Sequence, residues 1–335
     1  MEHKKLAILV PTFGLLLTSC AGSSKTYDAK DYIVGTLPYK ENFKILQMSD
    51  MHLGNKDDLE YHFSFMRKTI EESDADLLVV TGDIFTFADK STVNKTFEFL
   101  DSFGMPWTCT FGNHDEQNYC SVSWLTSTLN NFGGNCLFKD IQDDDVYGNC
   151  NFVINLTEAN KVKQQIFLID SNRYDYIQFK GYDKIRDDQI AWYERMVNYT
   201  TLTNGSVVPS LAFFHIPVPE FLTAYEEAEK GNPEAKKIEL EKWVKNEGVA
   251  APKTNSGMFD KMLEMGSTKG IFVGHDHINT YCVDYKGIYL CYGIKATNRI
   301  YFDEDLMGGQ VISMDSTGKI TINRIFHKYS ELEGK

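Results

Sequence analysis

The sequence lacks a long apolar run, an excess of basic charge, an internal repeat and any low-complexity segment, and each absence excludes something. Lys and Arg number 34 against 47 Asp and Glu, leaving a formal net charge of −13. A surface this acidic repels a phosphate backbone on average, so binding to a nucleic-acid polymer is not expected. A local positive site, such as one made by bound metals, would still capture one phosphate group. The most apolar stretch, LAILVPTFGLLL, is too short to span a bilayer comfortably. Prolines number only 8, and no Pro/Gly-rich linker divides the chain, so a single domain is expected. What remains is a 335-residue chain with 42% hydrophobic and 13% aromatic residues, the composition of a soluble globular protein with a large core.

The N-terminus reads as an export signal, with Lys4 and Lys5 ahead of that apolar run. It ends in LTSC, which resembles the bacterial lipoprotein signal in which the cysteine, here Cys20, is lipidated; an ordinary signal peptide cut nearby is the alternative. Residues 1–20 are therefore expected to be the signal, 21–42 a tether and 43–335 the folded domain. The chain is then exported and membrane-anchored through its lipid, facing outside or the periplasm, or secreted if Cys20 is not lipidated. Six further cysteines suit an oxidising compartment. In YCVDYKGIYLC, a two-residue turn at Lys286–Gly287 places Tyr285 opposite Ile288 and, counting outward, Cys282 opposite Cys291. Such a cross-strand position lies within disulfide range. Cys109, Cys120, Cys136 and Cys150 cannot be paired from sequence.

After the tether, short apolar runs alternate with amphipathic segments. FKILQMS, DLLVVTG, WTCTFG, QIFLIDS, SLAFFH and KGIFVG read as strands, several of them apolar throughout, as strands covered on both faces tend to be. DDLEYHFSFMRKTIEES, STVNKTFEFLDSF and RDDQIAWYERMVNY read as helices. This predicts an α/β or α+β domain with a layered core. The charged stretch EEAEKGNPEAKKIELEKW is expected to be a solvated helical excursion over one edge, and the region after residue 274 to be strand-rich, with a hairpin turn in MDSTGKITI.

The chemistry lies where those strands end. Five of the eight histidines, His52, His114, His215, His275 and His277, each follow an apolar strand-like run. MSDMHLG sets Asp50 and His52 two apart, VVTGDIF presents Asp83, TFGNHDE presents Asn113, His114 and Asp115, and FVGHDHI sets His275 and His277 two apart. Residues two apart in extended chain point the same way, and open α/β sheets place ligands where strands end in loops. Imidazoles, carboxylates and one amide without a thiolate suit Mn, Fe or Zn in pairs better than a structural zinc. Two metals about 3.5–4 Å apart need a bridging carboxylate, for which Asp83 is the natural candidate.

In this order, Asp50-x-His52, Gly82-Asp83, Gly112-Asn113-His114-Asp115, His215 and Gly274-His275-x-His277 resemble the calcineurin-like metallophosphoesterases, from about Phe43 to the C-terminal strands. GNHDE, FFHIPVPEF, NSGMF, FVGHDH and LCYG are most similar to the purple-acid-phosphatase-like subgroup. The true purple enzymes place a tyrosine ligand three residues after the bridging aspartate; Thr86 stands there, so their colour and a ferric ion are not implied. The resemblance implies a four-layer αββα sandwich holding two divalent or trivalent transition metals, with Asp50, His52, Asp83 and His277 on one and Asp83, Asn113, His215 and His275 on the other. It implies phosphoester hydrolysis by a metal-activated water, with His114 stabilising the transition state or protonating the leaving oxygen and Asp115 orienting it. Asn172 and Arg173, after another apolar strand, are candidate substrate contacts; Tyr119 and Phe221 are weaker candidates for the pocket wall.

The expected substrate is a small phosphomonoester or a phosphoprotein. A phosphodiesterase or nucleotidase acting on external nucleotides is the rival, and a surface lipoprotein without catalysis is the alternative from a different class. Oligomeric state is not legible.

Overall fold

In a computed structural model, which describes residues 27–176 and 181–332, the chain forms two mixed sheets with helices on their outer faces. The N-terminal signal and Cys20 lie outside the described residues. The smaller sheet is built on β2 (Ile45–Met48), β3 (Leu77–Thr81) and β4 (Trp107–Thr110), three short parallel strands buried throughout. The C-terminal hairpin β12 (Gly308–Met314) and β13 (Ile320–Phe326) completes it, antiparallel to β2. The larger sheet centres on β6 (Lys161–Leu168), β7 (Ser210–Phe213), β9 (Thr268–Val273) and β11 (Ile288–Tyr292), all parallel. Beyond β6 lie β5 (Phe152–Glu158) and β1 (Ile33–Pro38); beyond β11 lie β10 (Cys282–Tyr285) and β8 (Ala235–Lys237).

Burial alternates with the strand pleat. Ile154, Leu168, Phe213 and Phe272 join a core shared with the smaller sheet and its helices α1 (Leu59–Ser73), α2 (Lys90–Asp101) and α3 (Val122–Asn130). Their neighbours Val153, Phe167, Ala212 and Val273 face a second core under α4 (Asp187–Asn204), α5 (Glu220–Glu229) and α6 (Met258–Met265). The period of two thus lets one sheet bury both faces and gives the helix–sheet–sheet–helix layering of the expected sandwich. The carboxylates of Asp58 and Asp89 and the hydroxyl of Ser121 cap the first three helices, accepting backbone N–H bonds that the first turn cannot make itself.

Cys282 lies opposite Cys291, with Tyr285 opposite Ile288, and the two cysteines are disulfide-bonded at a Cα separation of 4.1 Å. Cys109, Cys120, Cys136 and Cys150 are free thiols.

Two expectations need correction. The segment 21–42 is not wholly a tether, because β1 within it pairs with β5. Tyr32, just before β1, is buried against Trp192 and donates its hydroxyl to Asp143. The charged stretch 226–243 is not a continuous helix. The helix α5 ends at Glu229, Gly231 takes a φ of 75°, and Pro233 has no N–H to carry a helix onward. Ala235–Lys237 then pairs with β10 as an edge strand, whose two lysines protect an exposed edge from further pairing.

Candidate metal centre

The parallel strands of both sheets end at a common rim, and the loops that follow β2, β3, β4, β7 and β9 converge there. Buried polar contacts tie the two sheets together at this end. Gln47 of β2 donates to the Val273 carbonyl of β9, and Gln310 of β12 to the Tyr292 carbonyl of β11, each at 3.1 Å. The loops bend sharply. Asp50, His52, Asp83 and His275 all have positive φ, at 56°, 48°, 49° and 78°. Left-handed backbone at non-glycine residues costs free energy and persists where surrounding structure over-determines it. Close approach demands glycine beside them: a Cβ on Gly82, itself at φ +77°, would overlap the His215 ring, and one on Gly112 would overlap Asp83.

Two buried groups result. Asp50, His52 and His277 form one, and Asp83, His215 and His275 the other; in each, the potential ligand atoms lie within 4.8 Å of one another. Asp83 Oδ2 sits between them, 3.6 Å from His52 Nε2 and 3.1 Å from His215 Nε2. His52 and His277 approach at 2.9 Å between Nε2 atoms, and His275 Nδ1 lies 3.2 Å from His215 Nε2. The far nitrogens of His215 and His277 donate to the carbonyls of Thr81 and Tyr301, each at 2.8 Å. A carbonyl only accepts, so these Nδ1 atoms carry hydrogen and both Nε2 lone pairs face the centre when the rings are neutral. Thr86 lies 2.9 Å from His52 Nδ1, so the residue at the tyrosine position supports the histidine instead.

Electrostatics favour a cation here. Burial would raise Asp50, but His277, His215 and Lys295 hold it well below the usual carboxylate range. Asp83 is likewise held low against burial by His215 and His52. Burial drives His52 well below its ordinary value and, helped by His215, takes His275 to about 3. Burial would lower His215 too, yet the Asp83 carboxylate raises it to about 10. Ionised carboxylates and neutral imidazoles are the states that bind metal, so the proton that Asp83 holds on His215 must leave on binding. The Asn113 side-chain oxygen and His275 Nε2 are buried with no hydrogen-bond partner. Such orphaned polar atoms are costly unless something beyond the protein satisfies them. The donor set therefore fits a pair of metal ions.

Residues 43–279 match the family of calcineurin-like phosphoesterases. The chain belongs to the calcineurin-like phosphoesterase family. Among relatives of this phosphoesterase, it is 32% identical over 290 residues to an Arabidopsis thaliana protein named probable inactive purple acid phosphatase 29, covering 75% of this chain and 71% of that one. It is 28% identical over 283 residues to phosphatase DCR2 of Saccharomyces cerevisiae, covering 75% of this chain and about half (47%) of that one. A solved dimetal phosphatase from Danio rerio shares the fold, with a TM-score of 0.53 at 14% identity over 86% of this chain and 98% of that one.

The phosphoesterase's other candidate residues are distributed differently from expectation. His114 is half-buried, its backbone N–H donating to Asp83 Oδ1 at 2.7 Å. Its ring does not meet Asp115. Asp115 accepts the backbone N–H groups of Phe85 and Gly112, at 2.9 and 2.7 Å, and so braces two of the site's loops. Gln117 takes the orienting place, its Oε1 2.7 Å from His114 Nδ1. Asn172 is buried, its amide nitrogen donating to the Lys184 carbonyl and to Gln189 Oε1 and so tying its loop to α4, while its side-chain oxygen has no partner. Arg173 is held by Glu116 at 2.9 Å. Phe221 is core, packed on Tyr292, and Tyr119 is 68% exposed.

Several neighbours of the centre escaped sequence reasoning. Lys295 is buried and donates to the Asp50 carbonyl at 2.8 Å; burial lowers it to about 8 although Asp50 opposes this. Its position just past the apolar strand β11 was the available signal. Tyr174, Tyr182 and Tyr301 also touch the centre, and nothing in their local sequence sets them apart from core aromatics.

Proposed function

We propose that this phosphoesterase is an active hydrolase of phosphomonoesters that works with two transition-metal ions. The reading is supported above all by Asp83, whose carboxylate belongs to one buried three-residue group and lies 3.6 Å from His52 of the other, each group able to hold an ion. Asp50, His52, Asp83 and His277 would hold one ion, and Asp83, Asn113, His215 and His275 the other. None of these positions is lost, which argues for catalysis despite the word inactive in a relative's name. Bound as a pair, such ions lower the pKa of water towards neutrality and offset charge gathering on phosphoryl oxygens.

The chain's own residues do the rest. Lys295 and the backbone N–H of His275, 3.1 and 3.2 Å from the Asp50 oxygens, fix the Asp50 loop. Asp83 receives the His114 backbone N–H, so the loop carrying Asn113 and His114 is registered on the shared carboxylate. Gln117 accepts from His114 Nδ1 and sets the ring, whose Nε2 faces away from it and, when the ring carries both protons, donates to a phosphoryl or leaving-group oxygen. Export and anchoring through Cys20 remain part of this proposal. Purified protein stripped of metal and reloaded with Mn, Zn, Fe or Mg should hydrolyse phosphomonoesters faster than diesters. Absence of bound transition metal together with absence of chelator-sensitive hydrolysis would sink the reading.

A further inference from the structure

Three tyrosines touch three candidate ligands at the mouth of the centre. The Tyr301 ring stacks on the His277 imidazole, centroids 4.1 Å apart at 21°, and is 45% exposed. The Tyr182 ring stands edge-on to His275 at 4.5 Å and 88°. The Tyr174 hydroxyl accepts from the Asn113 amide at 2.9 Å, and its ring lies along Tyr182 with centroids 5.4 Å apart. Both sides of the mouth are therefore aromatic. The rings are also held: Tyr301 donates to Glu247 at 2.8 Å, and Tyr176, beside Tyr174, donates to Glu116.

Charge around the mouth does not suit a polyanion. Glu247 and Glu116 stand at the rim, and the cation nearest Glu116, Arg173, is paired with it. The cleft of about 620 Å³ beyond Tyr182 is lined by four carboxylates against three cations, two of which, Arg186 and Lys184, are paired with Asp183 and Asp187. Among the described residues a second phosphate would meet few uncommitted cations, whereas an aromatic ring bonded to the phosphate oxygen would meet ring faces and edges directly. A nucleobase would lie a whole sugar further from phosphorus.

We propose that this mouth selects aryl phosphomonoesters, in which the phosphate oxygen is borne on a phenyl ring as in phosphotyrosine. The inference rests on the hydrolase reading and adds the leaving group. In the reaction water oxygen bonds to phosphorus, the phosphorus–aryl oxygen bond breaks, and the proton released by water ends on the phenol, leaving inorganic phosphate.

Metal-loaded protein should be compared on phenyl phosphate and cyclohexyl phosphate, which differ in aromaticity at similar size. Because phenol is intrinsically the better leaving group, the deciding number is how substitution changes the ratio. Tyr301→Leu and Tyr182→Leu should each lower kcat/KM for phenyl phosphate by roughly 3- to 10-fold more than for cyclohexyl phosphate, the range for one aromatic pair. Tyr301→Phe should restore the ratio, and metal content should be unchanged throughout. Calorimetry with phenylphosphonate and cyclohexylphosphonate supplies a second reading without turnover, in which the wild type should bind the aryl compound more tightly and the leucine variants should not. Equal losses on both substrates, or equal affinities for both phosphonates, would overturn the proposal. If neither ester is hydrolysed the hydrolase reading fails, and the calorimetry still decides the aryl preference. A phosphotyrosine peptide that outperforms phenyl phosphate would point to a protein source, and parity would point to small aryl phosphates.

Discussion

Replacing His114 with alanine separates a catalytic role from a ligand role. The ring lies within reach of His52 and Asp83, so it could itself complete a three-residue metal group. Three observations favour the other role. The link that registers this loop on Asp83 is the backbone N–H, 2.7 Å from Oδ1, and it survives any side-chain change. Gln117 holds Nδ1 at 2.7 Å, and the ring centroid lies 5.0 Å from that of His52, edge to face. The ring is half-buried at the mouth, unlike the fully buried ligands. His114→Ala should therefore keep both metals and the fold while losing a positioned proton donor, worth about 100- to 10,000-fold in rate, or roughly 3–5 kcal/mol of barrier. A phenol, with a pKa near 10, needs less help to depart than an alcohol, so the loss should be smaller on phenyl phosphate than on cyclohexyl phosphate. Metal content by plasma mass spectrometry and kcat on both esters test this together. Loss of one metal equivalent in the variant, or an unchanged kcat, would refute the argument.

Other consequences follow from the same contacts. Thr86→Val removes the partner of His52 Nδ1 and should weaken metal binding about 10- to 100-fold in a competition titration with a chromogenic chelator. In metal-free protein His215 titrates at about 10 instead of 6.5. Its stabilising contribution is complete below pH 6.5 and is lost as pH rises through about 10, so the apo melting temperature should fall from pH 8 to 10.5. In the loaded protein that proton is already gone, and the fall should be smaller. Calorimetry in buffers of different ionisation enthalpy should accordingly show proton release on loading at pH 7.5. Gly112→Ala drives a Cβ into Asp83 and the His215 ring, and should abolish binding of at least one ion while circular dichroism shows the fold retained. Replacing both Cys282 and Cys291 by alanine should cost about 2–3 kcal/mol in denaturant unfolding, the loop-entropy value for a bridge spanning nine residues, with metal content unchanged.

Much of the fold was legible because its signals are local. Six apolar runs between glycines and amphipathic segments become β2, β3, β4, β6, β7 and β9, and the Lys286–Gly287 turn sets the cysteine register by counting alone. The segments misjudged were ones whose state depends on distant partners. Ile33–Pro38 is a strand because β5 lies beside it, and Ala235–Lys237 because β10 does. Gln117 holds the His114 ring in place of Asp115 for the same reason. Which of them meets the His114 ring depends on how the loop folds back over Phe85 and Gly112, and no spacing rule encodes that. Asn172 looked reachable at a strand end, and only the packing of α4 beneath it shows that its amide is spent on Gln189.

By itself the sequence determined the ligand chemistry and its placement: imidazoles, carboxylates and an amide, each just past a strand that its own β-propensity and apolar run define. Those properties belong to a residue and its immediate neighbours. Only the tertiary structure decided the rest, bringing His52 within 2.9 Å of His277 across 225 residues and Lys295 onto the Asp50 carbonyl. It also drew three tyrosines from two separate loops around the mouth. Parallel strands from two sheets must end at one rim before any of these groups can meet, and that convergence is a property of sheet packing that no local stretch of chain contains.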